Sequence, residues 1–260
     1  MAKRQFTMAI ILWIIAFFVA VIIISWVVLP EMVITDYTSQ RATFFIMVAF
    51  ALMMGGFGLS YFFITRRFNY RYTLSEDKQR LMAFAEPLLL AHGESFRYFY
   101  LFNTTKKQAR RLLATELWQI KDKKTVLQDL TQIMADNDAI AIDENKNNPT
   151  FIQTRDYLIQ VGFTADILDG LTSYLAWDVC RVVFGASLSV MAKYITEEDA
   201  WKIINDVTAV AVEKYDNWHE YIAAYALGRA LALNEFTPWQ FAHRKGSPFL
   251  LFSFKETAYS

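Results

Sequence analysis

The residues best suited to chemistry lie in and after the short segment A-W-D-V-C-R, which ends at Arg181. Asp178 and Arg181 are three residues apart, so on a helix their side chains share one face and can form an ion pair. Trp177 lies beside them, and Tyr225 and Arg229 of a later segment could join them. These five residues form the candidate polar cluster of the sequence.

Two interpretations of this cluster are open. Charged groups inside a protein must be paired and hydrogen-bonded, and the planar guanidinium group of arginine fits a carboxylate. The cluster is therefore a buried clamp that fixes helix register, or a pocket that binds a small anion or a partner's side chain. Asp178 could act as a general base, but no second acid or nucleophile lies at a defined spacing. We therefore assign no catalytic residue.

Other chemical signatures are missing from the sequence. His92, His219 and His243 have no partner at a metal-ligand spacing, so no metal site is predicted. Cys180 is the single cysteine, which excludes an internal disulfide, and it is expected to pack as a small hydrophobic side chain. There is no phosphate-binding loop, dinucleotide fingerprint or nucleophile elbow, and no cofactor is predicted.

The composition favours helices and gives no reason to expect nucleic acid as a partner. Hydrophobic residues make up 55% of the chain, while glycine and proline number only 9 and 5. This low content of helix breakers favours helices over a turn-rich β architecture. The 26 basic and 26 acidic residues balance, so no overall electrostatic field directs the chain to nucleic acid.

Two apolar runs near the N-terminus, at about residues 6–29 and 44–64, are each long enough to cross the ~30 Å hydrocarbon core as a helix. Residues 1–72 are therefore predicted to form a transmembrane hairpin. A signal peptide is the alternative for the first run, but no small-residue cleavage site precedes Pro30. The basic and aromatic collar R-R-F-N-Y-R-Y at residues 66–72 fits the lipid headgroup region.

The basic residues around the hairpin predict its orientation. Lys3 and Arg4 precede the first run and the collar arginines follow the second, whereas the loop at residues 30–43 contains a single arginine. The positive-inside rule then places both chain ends in the cytoplasm. The predicted location is the bacterial inner membrane, with membrane lipid as one partner.

Small residues in the second run predict close helix packing. Ala51 and Gly55 are four residues apart, and Gly58 follows three residues later. Such spacing lets helix backbones approach closely. The packing is expected within the hairpin, with homo-oligomerisation as the alternative. A pore is not expected, because neither run contains an ionisable residue to line it.

Residues 73–260 are predicted to form a soluble multi-helix domain, so the fold class is all-α. Helical periodicity and capping residues indicate helices that begin near Ser75, Thr105, Asp122, Pro149, Asp166, Thr196 and Asn217. The second of these is expected to run to about Gln119, and the fifth to about Tyr194. Gly185 is expected to allow close helix contact. The aromatic tail after Asn234 is expected to pack back on the helices.

Several segments together carry a family resemblance. Beyond A-W-D-V-C-R, the chain contains Y-I-T-E-E-D-A-W at residues 194–201, W-H-E-Y at residues 218–221 and L-G-R at residues 227–229. Residues 109–130 resemble the leading pair of helices in the same pattern. These segments resemble the bacterial family catalogued as domain of unknown function twelve sixty-six, over about residues 100–235.

The resemblance implies an all-helical domain and no assigned activity. Two features depart from the family pattern: Gln119 stands where a glycine is expected, and many relatives lack the membrane hairpin. Relatives of similar architecture occur at bacterial envelope and toxin-associated loci, which implies an immunity or toxin-associated role.

Three classes of function are compatible with these features. The favoured one is a membrane-anchored cytoplasmic domain that binds a protein partner, because a tether raises local concentration at the membrane. One alternative is a structural or assembly component that acts through the small-residue face of the hairpin. The other is an enzyme on a lipid or small metabolite that uses Asp178, Arg181 and Arg229.

Overall fold

The computed structural model describes residues 73–115, 118–136, 147–237 and 253–254, together with three glycines of the N-terminal region. The chain separates into two compact units, Met1–Thr73 and Leu74–Ser260. The predicted membrane hairpin and its collar lie outside the described residues, apart from those glycines. No helix in the described part of the chain is long and apolar enough to cross a membrane.

The all-α class predicted for the second unit is confirmed. Its described residues contain nine helices and no β-strand. The helices are α1 (Glu76–Ala83), α2 (Glu86–Ala91), α3 (Lys106–Leu113), α4 (Val126–Asp136), α5 (Pro149–Gln160), α6 (Ala165–Gly170), α7 (Ala176–Ala192), α8 (Glu197–Lys214) and α9 (Trp218–Leu233).

Helix α7 is the centre of the domain. It packs against α2, α3, α4, α8 and α9, while α9 also contacts α5 and α6. Only Arg181, Val190 and Met191 of α7 are not fully buried. A helix that is apolar around its whole circumference is stable only when other elements cover every side, and the five neighbours of α7 provide that cover.

Side-chain caps start several of the helices where the sequence predicts them. Thr196 and Asp199 form a reciprocal capping box at the start of α8, with Asp199 in the place where glutamate or glutamine is usual. Asn217 accepts a hydrogen bond from the backbone of Glu220 at the start of α9. Asn148 caps α5, whose first residue is a proline.

The helix expected over about residues 166–194 is wrong, because the structure divides it into α6 and α7. Leu171 has an extended backbone, with ψ 129°, and ends α6. The Tyr215 hydroxyl, from the end of α8, accepts a hydrogen bond from the Ala176 amide (2.9 Å) and donates one to the Ser173 carbonyl (3.1 Å). A distant side chain thus satisfies the backbone groups that the break exposes.

The helix expected over about residues 105–119 is also wrong, because α3 ends at Leu113. The Ile120 amide then donates to the Leu113 carbonyl at 2.8 Å, so the chain turns back on the end of the helix. This turn buries Trp118 and Ile120. Gln119, between them, has φ 54°, a left-handed conformation that glycine adopts without strain. The family resemblance had led us to expect glycine here.

The prediction that the aromatic tail packs back on the helices is confirmed at Phe254. Phe254 is buried, and its ring centroid lies 5.6 Å from that of Phe84, 4.9 Å from Trp218 and 6.1 Å from Tyr221. The tail therefore contributes a ring to the aromatic cluster between α1 and α9.

Replacing Gln119 with glycine should stabilise the domain. A left-handed conformation costs a residue with a Cβ about 1–2 kcal/mol, which exceeds the entropy that glycine loses on folding. We expect Gln119→Gly to raise the free energy of unfolding by about 0.5–1 kcal/mol in chemical denaturation. The matched control is Gln128→Gly in an exposed part of α4, which should lower it by about 1 kcal/mol. A loss at both positions would contradict strain at Gln119.

Candidate functional site

The first turns of α7 bring the Asp178–Arg181 pair together as predicted. The Asp178 side chain is 1% exposed and that of Arg181 is 12% exposed. Arg181 Nε donates to Asp178 Oδ1 at 3.0 Å, and its Nη2 donates to the same oxygen. The carboxylate is therefore buried inside the domain, while the guanidinium group lies at the edge of the cluster.

Trp177 packs against the arginine of this ion pair, and Tyr225 packs against Trp177. The Arg181 guanidinium carbon lies 5.3 Å from the centroid of the Trp177 ring, within cation–π range. The Trp177 and Tyr225 rings meet edge to face, with 5.5 Å between their centroids. Trp177 is only 2% exposed, and its indole Nε1 finds no acceptor among the described residues. The guanidinium group of Arg181, the indole of Trp177 and the phenol of Tyr225 therefore contact one another in that order.

Tyr225 and Arg229 lie one turn apart on α9 and differ in their surroundings. Burial raises the pKa of the Tyr225 phenol well above its usual value, so the phenol stays neutral. Arg229 Nη1 donates to Thr237 Oγ1 at 2.7 Å, and Nη2 lies 3.8 Å from Glu235. The described polar contacts of Arg229 thus point towards the chain that follows α9.

Gly228 explains how α9 comes so close to the start of α7. A Cβ atom at this position would lie 2.8 Å from the Tyr174 carbonyl oxygen and 3.1 Å from the Trp177 Cβ. Only glycine allows this approach, which places Tyr225 against the indole. The L-G-R and A-W-D segments of the sequence are therefore in direct contact.

Trp118 is part of the site although the sequence analysis did not place it there. Its indole Nε1 donates to the Arg181 carbonyl oxygen at 3.0 Å. A Cβ on Gly185 would lie 2.8 Å from that nitrogen, so the predicted close contact at Gly185 is confirmed and its partner is Trp118. The W-Q-I segment around Trp118 was the available signal, but its spacing does not reveal a contact with α7.

Glu94 is a second polar residue that sequence reasoning missed. Its buried carboxylate accepts hydrogen bonds from the Phe102 amide (2.8 Å) and the Asn103 amide (2.7 Å), with the Thr104 hydroxyl at 3.4 Å. Charge-assisted bonds of this kind hold the loop between α2 and α3. A single glutamate in a polar loop carries no spacing signal that predicts this role.

The family of the chain follows from comparison with known proteins. Residues 89–244 match the family described as "Protein of unknown function (DUF1266)". The chain belongs to this family. Neither the curated proteins nor the solved structures contain a match to the chain. The match includes α3 to α9 and every residue of the candidate polar cluster, so the cluster lies inside the DUF1266 domain.

The cysteine of this DUF1266 domain is buried, and two of its histidines contact phenylalanine rings. Cys180 is buried, and burial raises the pKa of its thiol, which makes the thiol a poor nucleophile. His92 stacks on Phe184 at 5.0 Å, and His219 meets Phe163 edge-on at 5.9 Å. Within the described ranges, no group of three histidine, cysteine or acidic residues could hold a metal ion. His243 lies outside those ranges.

The small-residue face of the hairpin is described only at its glycines. Gly55 and Gly58 are helical, and among the described residues no atom would lie within 4 Å of a Cβ on either. Ala51 lies outside the described residues. Helix packing at this face stays a prediction.

Removing the negative charge of Asp178 should destabilise the domain strongly. Breaking a buried ion pair leaves an uncompensated charge, so Asp178→Asn should lower the free energy of unfolding by about 3 kcal/mol. The matched control is Asp169→Asn, which breaks an exposed pair with Arg155 and should cost less than about 1 kcal/mol. Equal losses in urea denaturation would show that the Asp178 pair is not a buried clamp.

Adding one methyl group at Gly228 should also destabilise the domain. The new Cβ would collide with the backbone of Tyr174, which cannot rotate away, so Gly228→Ala should cost about 2 kcal/mol or more. Gly170→Ala is the control, because a Cβ there meets nothing within 4 Å. Thermal melts should show a lower Tm for the first variant and little change for the second. Similar melting temperatures would contradict the close approach of α9 and α7.

Proposed function

We propose that this protein is a membrane-anchored DUF1266 domain at the cytoplasmic face of the bacterial inner membrane, and that it binds a protein partner at the Arg181 edge of the polar cluster. One observation carries the proposal: Arg181 is held in place by buried Asp178 and by the face of Trp177, yet 12% of its side chain is exposed. An arginine fixed in this way loses little side-chain entropy on binding.

The chemistry of the cluster favours an acidic or carbonyl group of the partner. A guanidinium group presents five N–H donors in a planar fork and can serve an internal and an external acceptor at once. Arginine is one of the residue types enriched at the energetic centres of protein interfaces, and the buried Trp177 indole holds Arg181 in place. A partner carboxylate at this edge would complete a charge-assisted contact.

The membrane anchor supports the same function. The two apolar runs of the first unit would hold the domain at the bilayer, where a tether raises the effective concentration of a membrane partner. An immunity or toxin-associated role is the specific form of this proposal that the family resemblance implies.

A second candidate function is assembly of a membrane complex through the hairpin. The spacing of Gly55 and Gly58 favours it, because small residues three apart on a helix would let a second helix approach this face closely. Replacing the hairpin with an unrelated one separates the two candidates. Replacing the native hairpin should abolish assembly of the complex, whereas binding of a partner at Arg181 should persist.

A pull-down of the full chain in detergent tests the proposed function. Arg181→Lys keeps the charge but removes the planar fork, so we expect it to lose a near-stoichiometric partner while it still melts cooperatively. Arg155→Lys is the matched control, since Arg155 also pairs with an aspartate through two N–H groups but lies on α5. Retention of the partner by Arg181→Lys, or recovery of every form of the chain alone, would contradict the proposal.

A further inference from the structure

Helix α3 presents a concentrated positive surface. Its sequence, K-K-Q-A-R-R-L-L, contains four cations and no acidic residue. Lys106, Lys107, Arg110 and Arg111 are all exposed. Ala109 and Leu113 are buried, so the helix turns its apolar side to the domain and its charges to solvent.

The fold holds further positive charge next to α3. Arg110 Nε donates to the Ala192 carbonyl at 3.1 Å, and its guanidinium carbon lies 5.4 Å above the Tyr194 ring. Between these two residues stands Lys193, exposed at the end of α7 with φ 62°. The charge of Arg110, then partial desolvation and the charge of Lys193, lower the pKa of the Lys106 ammonium group. Three like charges are therefore held within interaction distance.

The positive surface continues into the chain before α4. The Tyr194 hydroxyl donates to the Lys121 carbonyl at 3.3 Å, which places the Lys121 backbone at the end of the Tyr194 side chain. The nearby Asp122 carboxylate accepts from the backbone amides of Lys124 and Thr125, in the turn that leads into α4. We define the basic surface by its exposed cations: Lys106, Lys107, Arg110, Arg111, Lys121, Lys123, Lys124 and Lys193.

In the part of the chain that the structure describes, none of the eight cations of the basic surface forms an ion pair with a carboxylate. The described arginines that do pair with carboxylates are Arg80, Arg155, Arg181 and Arg229. Like charges held together in this way repel one another. A negatively charged partner would remove that repulsion.

We propose that the basic surface docks on the anionic lipid headgroups of the membrane in which the chain is anchored. This inference rests on the membrane anchoring proposed above. A cluster of lysine and arginine residues near the cytoplasmic leaflet is attracted by its negative surface potential, and the attraction grows with each added cation. Docking would orient the domain on the bilayer.

The surroundings of the basic surface favour lipid over nucleic acid. Single-stranded nucleic acid requires aromatic rings on which bases stack, but Arg110 covers the ring of Tyr194. The whole chain has balanced charge and a pI of about 6.8, far from the basic values of nucleic-acid-binding domains. Leu127, three residues after Lys124, is 47% exposed and can enter the headgroup layer.

Lysine labelling of the full chain tests this proposal. The chain is reconstituted in lipid nanodiscs of phosphatidylcholine alone or with added phosphatidylglycerol, and acetylation by a water-soluble reagent is followed by mass spectrometry. We expect labelling of Lys106 and Lys107 to slow several-fold in the anionic discs and to recover at high salt. Lys214 is the internal control. It ends α8, and the length of that helix places it about 25 Å from the helix start, which follows Lys193 of the basic surface.

A pair of charge-reversed variants makes the comparison specific. K107E/R111E leaves Arg110 and its contacts intact and should abolish the protection of Lys106 by anionic lipid. K202E/K214E changes the net charge equally on exposed positions of α8 and should retain that protection. Loss of protection in both variants would indicate an effect of net charge and would overturn the proposal.

Two other outcomes would also overturn it. One is equal labelling of Lys106 in both kinds of disc. The other is protection by a duplex DNA oligonucleotide in phosphatidylcholine discs without protection by anionic lipid, which would assign the basic surface to nucleic acid. Extraction of membranes with alkaline carbonate measures insertion of the hairpin separately. A failure of anchoring is thereby distinguished from a failure of the basic surface to bind lipid.

Discussion

The burial of α7 by five neighbouring helices is the constraint on which the rest of the domain depends. A helix covered on every side must satisfy each polar group without water. The Ser187 and Ser189 hydroxyls donate to backbone carbonyls one turn earlier, at 3.5 and 2.7 Å. Asp178 uses Arg181 for the same purpose. The ion pair at the centre of the candidate site is thus first a consequence of how deeply α7 is buried.

The same constraint explains the glycines and tyrosines of the domain. Gly185 and Gly228 let Trp118 and α9 approach α7 more closely than any side chain would permit. The Tyr221 hydroxyl, from α9, donates to the Phe84 carbonyl at 2.8 Å across the core. Tyr215, at the end of α8, binds the backbone at the start of α7. Together these contacts join α1, α7, α8 and α9. The segments that carry the family resemblance contribute Trp118, Tyr221 and Gly228 to these contacts.

Local sequence signals predicted where helices start. The break before α7 and the turn after α3 depend on contacts with distant residues, which the sequence does not reveal. The caps at Thr196 and Asn217 depend on residues three positions away, so they can be read from the sequence. The break before α7 depends on Tyr215, some forty residues later, and the turn after α3 depends on burial of Trp118. The Asp178–Arg181 pair was predictable because both residues lie on one helix, but the role of Trp118 was not.

A double-mutant cycle on the ion pair tests the central claim most directly. The free energies of unfolding of Asp178→Asn, Arg181→Gln and the double variant would be measured in urea. If the pair is the buried element that fixes the start of α7, the double variant should lose less stability than the sum of the single changes, by about 2 kcal/mol. Additive losses would contradict the account, because they would show that Asp178 and Arg181 stabilise the domain independently.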